Sequence, residues 1–224
     1  MINVAIDGPS GAGKSSVAKA VAKKKGYIYV DTGALYRSIG LFVFRSGIDK
    51  ADKEGVISCL DKIDIKLEYK EGTQIVLLNG EDVSTDIRLP EISMYASAVS
   101  AIPEVRAFLL ELQRKMAREN DVIMDGRDIG TVILPDATVK IFMFASAEGR
   151  AERRYKELCE KGVKTTLEEV LTDMKKRDED DASRAVAPCV PADDAIMLDN
   201  TKTNLEETIE IVSRIIDDVV EGVK

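Results

Sequence analysis

The stretch GPSGAGKS, Gly8 to Ser15, constrains this chain more than any other eight residues. It satisfies the pattern G-x-x-x-x-G-K-[ST], and its setting matters as much as its letters. Before it runs INVAI (2–6), apolar and β-branched as a buried strand requires. After it runs KSSVAKAVAKKKG, whose alanines and lysines suit a helix. Glycines permit a backbone that wraps an anion with its N–H groups pointing inward, and the helix N-terminus adds its dipole. A phosphate-binding loop is therefore expected. Gly8, Pro9, Ser10, Gly11, Ala12, Gly13, Lys14, Ser15 and Ser16 are its candidate nucleotide contacts. Lys14 is expected to reach the terminal phosphates and the Ser15 hydroxyl to hold Mg²⁺, with Ser16 the neighbouring alternative. Asp7, just before the loop, is read as a structural hydrogen-bond acceptor without chemistry.

The other apolar runs set the fold class. YIYV (27–30), DVIMD (121–125), VKIFMFA (139–145) and AIMLD (195–199) read as short core strands. Helical patterns lie between them and in NLEETIEIVSRIIDDVV near the C-terminus. Strands alternating with helices predict an α/β fold: a parallel sheet covered by helices on both faces, in one domain over residues 1–224. Residues 61–95 break that rhythm. IDIKLEYKEGTQIVLLNGEDV alternates with period two around Gly72 and Gly80, which predicts a small antiparallel insert of two or three strands. The charge-rich stretch from about 150 to 183 predicts a solvated helical hairpin.

Composition narrows the partners. Forty acidic against 32 basic residues give a net charge of −8, which disfavours a nucleic-acid polymer, because such binding needs a basic surface to displace counterions. No apolar run approaches a membrane span, and the N-terminus shows no signal-peptide pattern. Cys59, Cys159 and Cys189 form no CxxC, and the chain has no histidine, so a zinc site is not expected. The expectation is a cytoplasmic monomer with reduced thiols.

Three further clusters carry potential chemistry. DTGALYRS places Asp31, Thr32, Gly33, Tyr36 and Arg37 just after the second strand, on the side of a parallel sheet where ligands bind. MDGRDIG (124–130) puts Asp125, Arg127 and Asp128 within four positions at a strand end, where isolated charges are costly and need partners. RDEDDASRAVAP offers Arg177, Asp181 and Arg184 at offsets of four and three, which predicts one helical face with two guanidiniums flanking a carboxylate. Each has a plainer reading: Thr32 as a helix cap, Arg37 as a surface residue, the third cluster as a salt-bridged exposed helix.

Nearly end to end, the chain resembles the bacterial-type cytidylate kinases, a nucleoside monophosphate kinase family. The resemblance rests on AIDGPSGAGKS, DTGALYR, EDVSTDIR, VIMDGRDIGTVILPDA and RDEDDASRAVAPCVPADDA in this order. It implies a phosphate-loop kinase core, an acceptor region enlarged by the β insert, and a helical lid within about 150–183. It implies ATP as donor with Mg²⁺, and CMP or dCMP as acceptor. Arg37 and Arg127 are implied at the acceptor phosphate, with Thr32 in the same acceptor motif. Asp128 and Arg106 are implied at the cytosine with Ser97 beside them, and Asp181 and Arg184 near the sugar and phosphate with Arg177 close by. The chain departs from the family in having Thr32 where Ser is frequent, and Ser15-Ser16 where other members have Gly-Thr.

Physical reasoning supports such a pocket. Cytosine presents the N4 amino group as a donor and N3 as an acceptor, and uracil reverses both. A carboxylate at Asp128 and a guanidinium at Arg106 match cytosine and mismatch uracil. The acceptor phosphate is already ionised, so no general base is required, and Lys14, Arg37, Arg127 and Arg184 would supply the catalytic positive charge. Arg150, Arg153 and Arg154 are candidates to close over the donor phosphates. A uridylate, adenylate or shikimate kinase would keep the phosphate loop without needing the Asp128–Arg106 arrangement. A nucleotide switch of the GTPase type would carry an NKxD element, and none occurs.

Overall fold

Each of the five apolar runs becomes a strand of one sheet in the computed structural model, which describes residues 1–70, 73–160 and 162–222. The first elements are β1 (Asn3–Asp7), α1 (Lys14–Lys25), β2 (Ile28–Asp31), α2 (Thr32–Arg45) and α3 (Lys53–Ser58). Then come β3 (Ile65–Lys70), β4 (Thr73–Leu78), β5 (Glu81–Asp82), α4 (Pro90–Ser100) and α5 (Pro103–Glu119). The chain finishes with β6 (Val122–Asp125), β7 (Val139–Phe144), α6 (Ala147–Glu160), α7 (Leu167–Ser183), β8 (Ile196–Asp199) and α8 (Leu205–Gly222). It divides into two units, Met1–Tyr29 with Asn120–Lys224, and Val30–Glu119.

The sheet order is β2-β6-β1-β7-β8. The central strand β1 pairs in parallel with both β6 and β7, and β7 with β8. Val4, Ala5, Ile6, Ile123 and Met124 are wholly buried, which is why these strands read as unbroken apolar runs rather than alternating ones. On one face, Val17, Val21 and Ala22 of α1 and Val212 and Ile216 of α8 share a core with Ile6, Ile141 and Met143. Burying each such aliphatic side chain is worth roughly 1.5–3 kcal/mol. Lys24 and Lys25, in the last turn of α1, pair with Glu210 and Asp217 of α8 at 2.7 and 2.5 Å. On the opposite face, Phe142 and Phe144 of β7 line a recess with Asp181 and Ala182 of α7.

The charged stretch is a helical pair. Thr166 caps α7 in a reciprocal capping box with Glu169. Ala151 of α6 meets Val170 and Met174 of α7 in a small apolar cluster of their own. Lys161, in this region, lies outside the described residues.

In the second unit, three antiparallel strands in the order β3-β4-β5 form the expected insert. Asn79 (φ 51°) and Gly80 (φ 84°) turn the chain between β4 and β5, a pair of left-handed residues suited to a tight hairpin. The turn expected around Gly72 lies outside the described residues. The strand pattern ends earlier than residue 95. A short helical turn spans Asp86–Arg88, and Pro90, at the first position of α4, commits the chain to a helix. Ile65, Val76 and Leu78 of the insert share one core with Leu35 and Ile39 of α2, Ile92 and Val99 of α4, and Leu109 of α5. The three cysteines are free thiols, and among the described residues no helix is long and apolar enough to cross a membrane.

Candidate active site

The loop after β1 is held by its carbonyls. Gly8 has φ 141°, and a Cβ there would stand 1.9 Å from the Met143 carbonyl oxygen, so only glycine fits. Beyond it the Pro9 carbonyl accepts from Lys14 Nζ (2.7 Å), the Ser10 carbonyl from Arg150 Nη1 (2.8 Å), and the Ala12 carbonyl from Asn200 Nδ2 (2.8 Å). In a trans peptide the N–H points opposite to the C=O. Engaging these three oxygens fixes the peptide planes that carry the amides of Ser10, Gly11 and Gly13. Asn200 carries no local sequence signal for this role. Arg150, a candidate lid residue, is buried here, and its Nη2 also reaches Asp178 Oδ2 of α7 at 2.7 Å. Of its neighbours, Arg153 donates to the Asn200 and Thr201 carbonyls, and Arg154 pairs with Glu157 on the surface.

Lys14 is buried at the start of α1. Burial, and next the positive charge of Arg127, push its pKa down to about 7, against the opposing pull of Asp125 and Asp7. An anion beside Lys14 would therefore raise its pKa and hold the ammonium charged.

Ser15 Oγ donates to Asp125 Oδ2 at 2.7 Å, and Tyr29 OH donates to Asp125 Oδ1 at 2.9 Å. The pairing distinguishes Ser15 from Ser16. It also gives Asp125, which the DGRD stretch contained without a stated role, a place beside the phosphate loop. A hydroxyl and a carboxylate are hard oxygen donors of the kind Mg²⁺ takes, with water and phosphate oxygens completing its shell. Ser15 and Asp125 fit that ion.

Arg127 finds its partner far along the chain. Its Nε meets Asp181 Oδ2 at 2.8 Å, and the other oxygen of Asp181 faces Arg184 Nη2 at 3.6 Å. Two guanidiniums flank the Asp181 carboxylate, those of Arg127 and Arg184. The expected single helical face stops short, because α7 ends at Ser183 and Arg184 has ψ 135°, outside the helix. Arg177 lies on α7 one turn before Asp181. For Arg127, burial alone would lower the pKa, but the Asp181 charge and hydrogen bond outweigh it, so the guanidinium is held charged.

Asp128 is buried and opens the π turn Ile129–Ile133. Asp7 fixes that turn: its Oδ1 and Oδ2 accept the N–H groups of Ile129 (2.8 Å) and Gly130 (2.7 Å). Burial pushes the Asp7 carboxyl up to about 6, and these two bonds only partly offset it. Between about pH 4 and 6 the native state keeps a proton that the unfolded chain releases, so this group's contribution to stability falls as pH rises through that window. Asp7→Asn abolishes the titration and leaves one amide N–H facing an NH₂, a cost of about 1–3 kcal/mol. The wild type should therefore gain on the variant as pH is lowered from 6 to 4 in urea titrations. A constant difference would show that Asp7 does not titrate there.

The remaining candidates lie in the second unit. Thr32 is buried at the first position of α2, and the helix cap is Asp31, which accepts from Ala34 N–H at 2.9 Å. Arg37 Nη2 stands 3.7 Å from Asp31 Oδ2. Arg106, buried in the first turn of α5, lies 5.5 Å from the Tyr36 ring centroid and donates to the Ser100 carbonyl at 3.1 Å. Ser97 is exposed on α4.

A G-x-x-x-x-G-K-S loop at the end of the central strand of a parallel sheet, with a buried lysine and a serine–aspartate pair beside it, defines the phosphate-loop kinase class. A solved gluconokinase from Sinorhizobium meliloti shares the fold at 16% identity, with a TM-score of 0.50 over 99% of this chain and 95% of that one. The chain belongs to the cytidylate kinase family, whose model matches residues 4–218. The cytidylate kinase of Caldicellulosiruptor saccharolyticus is 51% identical over 211 residues, 94% of this chain and 93% of that protein. That of Caldicellulosiruptor bescii is 47% identical over 221 residues, covering 99% and 98%.

Proposed function

We propose that this protein transfers the γ-phosphoryl group of ATP to CMP or dCMP, giving ADP and the diphosphate. The observation that carries the reading is the loop with its three engaged carbonyls, beside Lys14 and the Ser15–Asp125 pair. The amides and Lys14 bind the donor phosphates. Mg²⁺, held by Ser15 and Asp125, would neutralise charge on the β- and γ-oxygens. Arg37 and Arg127 orient the acceptor phosphate, which needs no deprotonation, so positioning and charge neutralisation supply the rate. Asp128 and Arg106 read the cytosine edge, with Ser97 and Thr32 supporting the acceptor. We place the activity in the cytoplasm and the working unit as a monomer. The direct test is ADP production across CMP, dCMP, UMP, AMP and shikimate at equal concentration. CMP and dCMP should lead by a wide margin, and comparable turnover of any other acceptor would overturn the reading.

The resemblance implies Asp181 and Arg184 near the sugar and phosphate, with Arg177 close by, and the geometry favours a different emphasis for Asp181. Both of its oxygens face arginines, so we propose that it holds Arg127 and Arg184 in place. Asp181→Ala should then depress CMP, dCMP and dideoxy-CMP alike. A loss graded with the number of sugar hydroxyls would instead assign Asp181 to the ribose.

A further inference from the structure

Asp31 is a buried carboxylate approached by two arginines, Arg88 and Arg37. Its Oδ1 caps α2 by accepting from Ala34 N–H. Its Oδ2 takes a full ion pair from Arg88 Nη2 at 2.8 Å, whereas Arg37 Nη2 stands off at 3.7 Å, beyond hydrogen-bond reach. Its main-chain N–H donates to Gln74 Oε1 of β4 at 3.1 Å. Arg88 sits on the short turn that follows the insert, anchored by the wholly buried Ile87. Two of these grips, Gln74 and Arg88, thus come from the β-rich stretch whose purpose the fold alone leaves open.

Two guanidiniums sharing one carboxylate leave a net positive charge at the N-terminus of α2, where the helix dipole adds to it. That suits a phosphate monoester dianion better than a neutral Arg37–Asp31 pair would. Take Arg88 away, and Asp31 Oδ2 becomes the nearest uncompensated anion to Arg37. The guanidinium would then spend its donors on Asp31.

We infer that Arg88 is a positioning residue for the acceptor phosphate, saturating Asp31 so that the Arg37 guanidinium stays available. The inference rests on the assignment of Arg37 to that phosphate. It also gives the antiparallel insert a task, which is to carry Gln74 and Arg88 to Asp31.

The test compares Arg88→Gln, Arg88→Lys, Arg37→Met and the Arg37→Met/Arg88→Gln double variant, each with KM for CMP, KM for ATP, kcat and a thermal midpoint. Arg88→Gln should raise the KM for CMP by about tenfold and leave the KM for ATP within about twofold. Arg88→Lys should recover most of the loss, because Asp31 needs one charged donor at Oδ2 rather than a bidentate fork. In the Arg37→Met background, Arg88→Gln should add nothing further, since it acts through Arg37. An unchanged KM for CMP in Arg88→Gln, a failure of lysine to rescue, or a full additional loss in the double variant each overturn the inference. A lowered thermal midpoint with unchanged CMP kinetics reduces Arg88 to a structural brace and does the same. If Arg37→Met alone leaves the CMP kinetics intact, the assignment of Arg37 fails first; if Arg37→Met is impaired and Arg88→Gln is silent, only the role of Arg88 fails.

Discussion

Replacing Lys14 with methionine is expected to lower kcat for CMP phosphorylation by on the order of 10²–10³ or more while leaving the protein at least as stable as the wild type. The two halves of that expectation share one cause. Lys14 is an amine buried beside Arg127, with its pKa pushed down to about 7, so in the empty protein it is an unfavourable guest. Methionine has similar length and no charge to desolvate, and it gives up the bond to the Pro9 carbonyl and the weaker attraction to Asp125 and Asp7. The charge matters when a phosphoryl group in flight must be neutralised, and there methionine has nothing to offer. Circular dichroism melts and a coupled ADP assay on the same preparation give both numbers. Turnover within tenfold of the wild type would remove the phosphate loop from the donor site. A large drop in the melting temperature would show instead that Lys14 is part of the packing.

Asp128→Asn should narrow the preference for CMP over UMP by the largest factor of any single conservative change. In the proposed reading the wild-type carboxylate accepts from the cytosine N4 amino group and offers no donor to a uracil carbonyl. Mismatched buried polar groups discriminate by roughly 10⁴-fold. The amide keeps the shape and one acceptor oxygen but gains an NH₂, and a flip lets it serve either pyrimidine. The backbone at Asp128 should not move, because Asp7 holds the next two amides whatever residue 128 carries. CMP use is therefore expected to weaken and UMP use to rise. The quantity to measure is the ratio of kcat/KM for the two acceptors, and an unchanged ratio would mean that Asp128 does not read the base.

The sequence by itself determined what is local. The strand-loop-helix at 2–25 could be read because its signals are adjacent: an apolar run, glycines, then helix formers. The five core strands followed from unbroken apolar runs and the antiparallel insert from an alternation of period two, both of which a short window displays. The charge cluster at 125–128 was visible too, together with the demand that it be neutralised. The partners were another matter. Arg127 is answered by Asp181, Ser15 by Asp125, the Ala12 carbonyl by Asn200, and Asp31 by Gln74 and Arg88. Each pairing joins residues dozens to nearly two hundred positions apart. The pairings around the phosphate loop depend on the strand order β2-β6-β1-β7-β8, which sets the Asp125 end of β6 on one side of β1 and β7, with β8 beyond it, on the other. Local periodicity says which face of a strand is buried, not which strand lies beside it. Arg184 shows the same limit at small scale. Its spacing suited one more helical turn, yet the backbone leaves α7 at Ser183, and the extended residue delivers its guanidinium to Asp181 from outside the helix.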